Sequence, residues 1–369
     1  MLQQKGYQYR IYPTKQQQQL INQTLGCVRF VYNRFLNIRK EAWTNSKTSV
    51  TYKQTSKMLT ELKCEPDYVW LKAVDSTSLQ QALKDLDKGF KNFFAKKAGY
   101  PRYKSKHNHC LSYRSQCVNN NIAITNGKLK LPKIGLVKIK LSRNFTGRIL
   151  NVTVSRKATG KYFVSLCVEE EVEIFPNNGG EIGIDVGIKD FYSDSNGDVA
   201  ANPKTLKKYS KKLAREQRKL SRKAKGSNNR NKQRIIVARI HEKIANIRKD
   251  YLNKVSTKLV KENQLIGIED LQVRNMLKNH QLAQAISDVS WSEFFRMLEY
   301  KAVPYGCRVV RVPRFYPSSQ KCCKCGYQNK NTKNLAIRAW DCPVCGHHHD
   351  RDVNAARNIL AKAKEIISA

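Results

Sequence analysis

Two pairs of cysteines in this 369-residue chain have the spacing of a zinc site. The first pair is Cys322 and Cys325, the second is Cys342 and Cys345, and sixteen residues separate the pairs. Four thiolates at this spacing can surround one tetrahedral zinc ion, and C-x2-C-x15–20-C-x2-C is a known zinc-binding pattern. Because four thiolates leave no open position, we expect the zinc to be structural.

One extra thiol and three histidines are further candidate ligands of this zinc site. Cys323 directly follows Cys322 and could replace it, although the C-x2-C geometry favours Cys322 together with Cys325. Three consecutive histidines occupy positions 347–349. Since four thiolates already close a structural site, we expect these histidines to lie on the surface.

Three acidic residues at the ends of predicted strands and helices could hold a second kind of metal. Asp185 lies inside the apolar run 182–186, Glu269 directly follows the run 265–268, and Asp352 begins a predicted helix. A carboxylate inside an apolar strand is energetically costly unless it is paired or bound to metal. Carboxylate oxygens suit Mg²⁺, and two such ions about 3.5–4 Å apart can activate a water and stabilise the leaving oxygen of a phosphodiester.

Each of these acidic residues also has an ordinary structural explanation. Asp185 could cap a turn, Glu269 with Asp270 could pair with a lysine, and Asp352 could be a helix N-cap. Asp350 competes with Asp352, and Asp270 with Glu269, for the role of metal ligand. The small residues that follow Asp352 favour it over Asp350, because they allow the helix to pack closely. Taken together, the three acids favour one shared magnesium site.

The charge of the chain indicates a polyanionic partner. Lys and Arg number 69 against 29 Asp and Glu, which gives a formal net charge of +40. Such an excess favours nucleic acid, because each neutralised phosphate releases counterions and adds affinity. A membrane surface would also attract the chain, but its first residues carry no apolar signal segment and no run of about eighteen apolar residues occurs. We therefore expect no membrane partner and a cytoplasmic location.

The isolated cysteines fit this expected location. The count of cysteines is odd, and long cytoplasmic chains rarely carry disulfides. We expect these residues to be buried, reduced thiols: Cys27, Cys64, Cys110, Cys117, Cys167 and Cys307.

Periodicity divides the first half of the chain into a helical segment and a set of short strands. Residues 5–12 alternate as a strand does, Thr14 begins a capping box, and two amphipathic stripes predict helices within about 14–97. From 109 to about 175, short alternating runs with a hairpin signal at 126–127 predict antiparallel β structure.

The second half alternates apolar strands with helices. Apolar runs at 182–187, 265–269 and 307–312 predict buried strands, and a basic helical stretch covers about 204–263 with a break near 226–229. This element order is that of a ribonuclease-H-like α/β domain. The predicted multidomain α/β chain has four parts: an antiparallel β-barrel at 1–13 and 99–178, a helical module at 14–98 that interrupts it, a ribonuclease-H-like domain at 181–317 and 350–369, and a zinc-ribbon insertion at 318–349.

Several strings of residues resemble the TnpB (OrfB) proteins of bacterial insertion sequences, which are relatives of the type V CRISPR effectors. The most specific strings are 183–187 (GIDVG), 268–271 (IEDL), 318–326 (SSQKCCKCG) and 350–359 (DRDVNAARNI). Similar strings also occur at 99–106, 213–223 and 299–302. The resemblance covers nearly the whole chain, and the strings fall in the order of the family.

This resemblance implies an RNA-guided DNA endonuclease encoded by a transposable element. Members of the family use an RNA transcribed from the end of the element as a guide. They recognise a short motif beside the double-stranded target and cut the DNA with a RuvC-type nuclease domain. The resemblance also implies a prokaryotic, nucleoid-associated protein.

The same resemblance implies roles for individual residues. Asp185, Glu269 and Asp352 match the family's catalytic acids, which bind two Mg²⁺ ions. Arg338 matches a basic position near the active site and is a candidate contact to the scissile strand. The implied ligands of the structural Zn²⁺ are Cys322, Cys325, Cys342 and Cys345.

Basic stretches supply the candidate nucleic-acid contacts. Residues 204–261 are overwhelmingly basic, and a solvated helix face is the ordinary explanation of such a run. Within a nuclease domain, a channel that reads the A-form shape and backbone of a guide–target duplex is favoured. The candidates are Tyr52, Lys53, Gln54, Lys57, Arg102, Lys104, Lys106, Arg215, Arg218 and Arg222.

Two other functions agree with many of these residues. One is a guide-dependent DNA-binding repressor that does not cleave, which the loss of one acid would favour, and all three acids are present. The other is a protein-guided transposase or recombinase, which would have to join strands as well as cut them.

Overall fold

The structure is a computed structural model that describes residues 2–107, 110–334 and 336–368, with only the backbone of Cys110. These residues form two compact units, which divide between Val172 and Glu173. Each unit has a hydrophobic core of its own.

Seven antiparallel strands form the sheet of the first unit: β1 (Leu2–Tyr12), β2 (Cys110–Gln116), β3 (Ala123–Thr125), β4 (Lys128–Leu131), β5 (Gly135–Lys140), β6 (Arg148–Lys157) and β7 (Tyr162–Glu171). Their order is β2-β6-β7-β1-β5-β4-β3. Strand β1 is central because it pairs with β7 on one side and with β5 on the other. Its alternate residues Tyr7, Tyr9 and Ile11 are buried in the core, as period-two burial of a half-covered strand requires.

The predicted β-barrel is a curled antiparallel sheet in the structure. Among the described residues no ladder joins its edge strands β2 and β3, so hydrogen bonds do not close it into a barrel. The predicted hairpin at 126–127 is confirmed. Asn126 and Gly127 have φ values of 49° and 68° between the paired strands β3 and β4, as a two-residue hairpin turn of this hand requires.

Three helices lie in sequence between β1 and β2: α1 (Lys15–Ser46), α2 (Tyr52–Leu62) and α3 (Ser76–Phe94), with a 3₁₀ helix at Pro66–Ala73. Each α-helix begins after a residue whose side chain accepts backbone hydrogen bonds, and these N-caps are Thr14, Thr51 and Asp75. The capping box predicted at Thr14 is confirmed. The sequence did not predict α2 as a separate helix, because its three buried residues form too short a stripe.

Five strands form a mixed sheet in the second unit: β8 (Gly180–Val186), β9 (Asp190–Asp194), β10 (Val199–Ala201), β11 (Asn263–Glu269) and β12 (Arg308–Val312). Their order is β10-β9-β8-β11-β12. The ladders of β11 with β8 and with β12 are parallel, whereas β9 pairs antiparallel with β8 and β10. The buried strands predicted for this region are thereby confirmed.

Six helices accompany this sheet: α4 (Thr205–Ser221), α5 (Asn228–Glu262), α6 (Val273–Met276), α7 (Ala283–Val289), α8 (Trp291–Ala302) and α9 (Arg351–Ser368). Helices α4 and α5 form the predicted basic stretch and pack together through Leu213, Val237 and Ile240. Short 3₁₀ helices occur at Val303–Tyr305 and Lys330–Lys333. None of the helices within the described ranges is long and apolar enough to span a membrane.

Different helices cover the two faces of this sheet. The isoleucines of β8 and β11 belong to one core with residues of α5 and α8. The residues that alternate with them face α9, where a Cβ added to Gly183 would lie 2.0 Å from the carbonyl oxygen of Ala356. A Cβ on Gly267 would lie 3.0 Å from the Cβ of Ala363. Glycine at these two positions therefore allows α9 to approach β8 and β11 closely.

The segment between β12 and α9 contains two short paired strands, β13 (Ala339–Asp341) and β14 (His348–Asp350). Strand β14 ends where α9 begins, so the residues of the second cysteine pair lie close in sequence to the start of the helix. An isolated bridge between Lys321 and Gln328 closes the first cysteine pair's turn.

The isolated cysteines are free thiols, but they are not all buried. Cys27 and Cys307 are buried, Cys117 and Cys167 are half-buried, and Cys64 is exposed. The prediction is wrong for Cys64 because this residue follows the end of α2, where the chain turns on the surface. The side chain of Cys110 lies outside the described residues.

Substituting the two close-packed glycines tests the approach of α9 to the sheet. Gly183→Ala should destabilise the protein by about 1–3 kcal/mol or more, because the added methyl overlaps backbone atoms of α9. Gly267→Ala should cost less, because its tightest neighbour is a side-chain methyl. Thermal unfolding measures both, with Gly6→Ala as a control, since no atom lies within 4 Å of a Cβ at Gly6. Equal stability of all three variants would contradict the packing.

Candidate metal centres

The four predicted cysteines converge on one point. One Sγ atom from each of Cys322, Cys325, Cys342 and Cys345 lies within 4.8 Å of the other three. The Sγ atoms of Cys322 and Cys345 are 3.7 Å apart, and those of Cys325 and Cys342 are 3.5 Å apart. A tetrahedral ion with Zn–S bonds of about 2.3 Å requires sulfur separations of about 3.8 Å. The donor set and its size therefore fit zinc.

Cys323 lies outside this cluster of thiols. Its backbone N–H donates to Oδ1 of Asn354 in α9, at 3.0 Å. In the turn that follows, the N–H of Gly326 donates to the carbonyl oxygen of Cys322 at 2.9 Å. The geometry thus selects Cys322 as the partner of Cys325 and leaves Cys323 as a residue of the turn.

The prediction that the three histidines lie on the surface is wrong for His349. His348 is exposed and contacts Asp341 at 2.7 Å, but His349 is only 2% exposed. Its ring packs against Trp340 with centroids 4.6 Å apart, and its Nε2 lies 3.1 Å from Sγ of Cys322. The alternation of strand β14 turns His349 inward and His348 outward, and three identical residues in a row give no sequence signal that identifies the inward one.

Asp185 and Glu269 lie side by side at the carboxyl ends of β8 and β11. The parallel register pairs Ile184 with Ile268, so the next residue on each strand is one of the two acids. Adjacent strands are about 4.8 Å apart, and residues in register project to the same face. That face is the one that Gly183 and Gly267 leave to α9. Both carboxylates therefore lie near the N-terminal end of α9.

Asp352 and Asp350 have different roles at the start of α9. Oδ1 of Asp350 accepts hydrogen bonds from the backbone N–H groups of Asp352 and Val353, at 3.0 and 2.9 Å, so Asp350 caps the helix. The carboxylate of Asp352 lies in the first turn and is not used for capping. Because Ala356, one turn further on, touches Gly183, the Asp352 side chain lies toward the end of β8 that carries Asp185.

The electrostatics of Asp185 reflect this convergence. Burial raises the pKa of Asp185 well above its usual range, and repulsion from the carboxylates of Glu269 and Asp352 raises it further. The guanidinium groups of Arg351 and Arg338 oppose this shift. Burial also raises the pKa of Glu269, although a hydrogen bond from Ser318 opposes the change. A group of acids that repel one another in this way would be stabilised by a bound cation.

Arg338 is an ion-pair partner of Asp352. Its guanidinium lies 3.2 Å from the nearer carboxylate oxygen of Asp352, and both side chains are partly exposed. The backbone N–H of Arg351 also donates to the carbonyl oxygen of Arg338, at 2.8 Å. The segment that carries the two cysteine pairs thus places the Arg338 guanidinium directly against the Asp352 carboxylate of α9.

Glu269 and Asp270 make different contacts, although they are neighbours. The Ser318 hydroxyl donates to Oε1 of Glu269 at 3.0 Å, which fixes the position of that carboxylate. The carboxylate of Asp270 pairs with Arg314 at 2.7 Å and with Arg311 at 3.5 Å. Asp270 is therefore held by arginines, whereas Glu269 faces Asp185.

Two asparagines of α9 fasten the zinc segment to the helix. The side-chain N–H groups of Asn354 and Asn358 both donate to the carbonyl oxygen of Lys321, at 2.8 and 2.5 Å. Asn358 also donates to the carbonyl oxygen of Ser318 at 2.8 Å. Both asparagines are almost fully buried. They fix the first cysteine pair to the helix that carries Asp352.

The three carboxylates form a wider group than the cysteines. Among the described residues, only the four thiols bring three or more ligand atoms within 4.8 Å of one another. A wider group of oxygen donors suits a pair of hard cations about 3.5–4 Å apart more than it suits a single ion. The residues present therefore fit Mg²⁺ by donor type and charge.

The candidate nucleic-acid contacts of the first unit lie on α2 and in the segment between α3 and β2. Lys53 and Lys57 are exposed on the helix, while Tyr52 packs partly against the core. The side chain of Gln54 is used in the capping box with Thr51. Of the predicted residues that precede β2, Arg102 and Lys106 are exposed.

Lys104 differs from these two neighbours because it is half-buried. Its Nζ lies 4.1 Å from the centre of the Tyr32 ring, and burial lowers the pKa of this lysine. Its backbone is held by Asn33 through two hydrogen bonds. This side chain supports the fold more than it offers a surface charge.

Basic residues form a stripe along α4 in the second unit. Arg215, Arg218 and Arg222 follow one another at three- and four-residue spacing, so they share one face, and all three are exposed. Arg215 contacts Glu216, whose pKa is lowered to about 2 by hydrogen bonds from Gln233, Lys219 and Arg215. The stripe offers positive charge along about four turns of helix, with Lys208 and Lys211 on the same face.

Three family models match this chain. A model of OrfB of IS605, described as "Probable transposase", matches residues 165–280, and a "Cas12f1-like, TNB domain" matches 291–359. A model described as "Helix-turn-helix domain" matches residues 1–48. In this structure that segment is strand β1 followed by the single long helix α1.

A relative from Streptomyces pristinaespiralis, named "Putative RNA-guided DNA endonuclease", is 45% identical over 360 residues, which cover 97% of this chain and 89% of the relative. The chain belongs to the TnpB (OrfB, IS605) family. A second TnpB-family relative, the "Putative RNA-guided DNA endonuclease InsQ" of Escherichia coli (strain K12), is 36% identical over 99% of this chain and 93% of its own length.

The fold of this TnpB-family chain is similar to a solved structure. The protein in the "Cryo-EM structure of the Cas12f1-sgRNA-target DNA complex" aligns with a TM-score of 0.58 over 97% of this chain and 98% of that one. The sequence identity is 13%, so this likeness concerns the fold alone.

Several residues around the two centres of this TnpB-family chain were not predicted from its sequence. Ser318, Asn354 and Asn358 lie within the strings that carry the family resemblance, but their partners come from other elements. Arg351 is buried, and its Nε has no hydrogen-bond partner among the described residues. No spacing rule identifies contacts of this kind, since they depend on how α9 meets the sheet.

Separate serine variants of the adjacent cysteines test the zinc ligands. Cys322→Ser should lose most bound zinc, because it removes one of four thiolates, whereas Cys323→Ser should retain it. Zinc per protein, measured by elemental mass spectrometry after gel filtration, distinguishes the two. Equal loss in both variants, or loss in Cys323→Ser alone, would contradict the ligand set.

The pKa of Asp185 predicts how stability depends on pH without divalent metal. The folded-state pKa lies above the ordinary value of 3.8, so the folded state binds the proton more tightly and stability falls as pH rises above that value. Asp185→Asn should therefore raise the melting temperature of chelator-treated protein at pH 7, and this advantage should shrink toward pH 4.

Asp270→Asn is the matched control for this experiment. The Asp270 carboxylate pairs with two arginines, so its removal should lower the melting temperature at pH 7. An Asp185→Asn protein that melts at or below the wild-type temperature at pH 7 would show that repulsion among the three acids is unimportant.

Proposed function

We propose that this chain is an RNA-guided DNA endonuclease encoded by a transposable element, which cleaves target DNA next to a short adjacent motif. The observation that carries the proposal is the convergence of Asp185, Glu269 and Asp352 in a chain with a net charge of +40. The names of two relatives that match along almost their whole length support it. Its partners would be a guide RNA from the element end and double-stranded target DNA, as in the complex that shares its fold.

The domains follow from this proposal. The mixed sheet of β8 to β12 with α9 supports a RuvC-type, ribonuclease-H-like nuclease domain at 181–317 and 350–369. The segment 318–349 would be its zinc-ribbon insertion. The curled sheet of the first unit would be the domain that the sequence predicted as a β-barrel, at 1–13 and 99–178, and its three helices would be a recognition module at 14–98.

The three carboxylates would hold two Mg²⁺ ions. Such ions, when bound, activate a water and stabilise the leaving oxygen of a phosphodiester. Ser318 orients Glu269 for this role, and Asp350 caps α9 so that the carboxylate of Asp352 is not used for capping. Because the pKa of Asp185 is raised, its proton must leave before it can ligate, and cation binding should weaken as pH falls.

Arg338 would exchange partners during the reaction. It pairs with Asp352 in this structure, and a cation bound by Asp352 would repel its guanidinium. The side chain is more than half exposed and can turn toward a phosphate of the scissile strand. The zinc would have a purely structural role, which is to hold the ribbon that carries Arg338.

The basic surfaces would bind the nucleic acids through their backbones. The stripe of α4 would follow the guide–target duplex, and Lys53, Lys57, Arg102 and Lys106 would contact DNA or RNA in the first unit. Contacts of this kind read shape and charge, while base pairing with the guide supplies the sequence. A protein with these partners would act in the prokaryotic cytoplasm, associated with the nucleoid.

Purification with the flanking DNA of the element tests the function. The protein should carry a discrete RNA, and this complex should cut DNA that matches the RNA only when Mg²⁺ is present. Asp185→Ala should reduce cleavage by at least about a thousandfold while RNA and DNA binding stay unchanged, because the acid acts only on the ions and the scissile bond. Sequencing of the bound RNA and single-turnover cleavage assays measure these outcomes.

The same assay separates the alternatives. Specific binding without cleavage by the wild-type complex would indicate a guide-dependent repressor, and strand joining would indicate a recombinase or transposase. RNA-free protein that cuts with equal specificity would contradict the guide.

The α4 stripe should set part of the salt dependence of binding. Arg218→Ala and Arg222→Ala should each reduce the slope of log affinity against log salt by about 1, since each removes one phosphate contact. Lys254→Ala is the matched control, because Lys254 already pairs with Asp250 at 2.8 Å. If the slope of log affinity against log salt is unchanged in both arginine variants, the stripe does not contact phosphates.

A further inference from the structure

Phe315 is the most exposed of the large apolar side chains in the described ranges, with 92% of its surface accessible to solvent. It follows strand β12, whose last residue, Val312, is paired in register with Glu269. Single exposed apolar residues are common on protein surfaces and usually need no explanation. The position of this one beside the candidate active site, and the way its backbone is held, set it apart.

The turn that carries Phe315 is fixed on both sides. The backbone N–H of Tyr316 donates to the carbonyl oxygen of Pro313 at 3.0 Å, which closes a β-turn with Arg314 and Phe315 at its corner. Arg314 is held by Asp270 at 2.7 Å. Tyr316 packs against the small core formed by β12 and α9. The aromatic ring is therefore presented by a rigid turn.

The turn also lies next to the catalytic acids. Arg314 contacts the neighbour of Glu269, and Ser318 donates to Glu269 itself. Three residues of extended chain span at most about 11 Å, so Phe315 lies within that distance of Ser318 along the backbone. The nearby positive charges are Arg314 in the turn itself and Arg338, which pairs with Asp352.

We propose that Phe315 stacks on an unpaired base of the DNA strand that enters the active site and thereby positions the scissile phosphate. An aromatic face accepts any base, as cleavage at a position set by the guide requires, whereas hydrogen-bond readout would favour particular sequences. The proposal rests on the proposed endonuclease function and adds a positioning residue to it.

The experiment uses the complex of the full chain with its copurified RNA and target DNA that carries 2-aminopurine at successive positions near the cut site. Wild-type protein should quench one position strongly, and Phe315→Leu should abolish that quench and slow single-turnover cleavage by about 5- to 150-fold. Phe315→Tyr and Phe315→Trp should restore both signals, which a role in folding alone would not predict for side chains of such different size.

Ile366→Ala is the matched control, because Ile366 is an exposed apolar residue near the C-terminal end of α9, with 40% of its surface accessible. It should behave as wild type in both measurements. If Phe315→Leu matches the wild-type protein in cleavage rate and in fluorescence, this inference is wrong, while the proposed function is unaffected. A wild-type complex that quenches none of the labelled positions in the target DNA would also overturn it, and a wild-type complex that does not cut DNA would overturn both the inference and the proposed function.

Discussion

The close approach of helix α9 to strands β8 and β11 is the contact on which the candidate active site depends. Two residues without a side chain, Gly183 and Gly267, allow it, since a Cβ at Gly183 would overlap the backbone of the helix. The alternation of a strand then places Asp185 and Glu269 on the same face, two residues further along. Gly183 and Gly267 thus allow the helix to pack on the sheet, and Asp185 and Glu269 lie near its first turn.

The segment that carries the two cysteine pairs supports the same packing of α9 on the sheet. Asn354 and Asn358 of α9 hold the first cysteine pair by its backbone, and β14 leads from the second pair directly into the helix. His349, buried against Trp340 and beside Cys322, links the cysteine cluster to strand β14, which ends at Asp350. A zinc ion here would fix the start of α9, and with it Asp352 and Arg338, relative to the sheet.

Much of this arrangement could be predicted from local patterns. The C-x2-C pairs, the apolar strands that end in acids and the capping box at Thr14 each depend on residues close in sequence, and the structure has them as expected. The sequence favoured Asp352 over Asp350 through the small residues that follow Asp352, whereas the capping role of Asp350 is visible only in the structure. His349 was misassigned because three identical residues in a row do not show which of them a short strand turns inward.

Contacts between distant elements could not be predicted in this way. Ser318 with Glu269, and Asn358 with Lys321, join residues that come together only when the sheet, the ribbon and α9 assemble. The curled sheet of the first unit was predicted strand by strand, but closure into a barrel depends on a pairing between β2 and β3 that periodicity does not encode. Phe315 gave no signal in the sequence, because its exposure is a property of the turn.

The central claim is that Asp185, Glu269 and Asp352 form one metal site whose parts depend on each other. Binding of Mn²⁺ to the purified protein–RNA complex, followed by electron paramagnetic resonance, tests it most directly. Wild-type protein should bind two ions with magnetic coupling between them, and Asp185→Asn, Glu269→Gln and Asp352→Asn should each lose the coupled pair, while Asp270→Asn keeps it. A coupled pair that survives in Asp352→Asn would show that α9 does not contribute to the site, and would contradict the account.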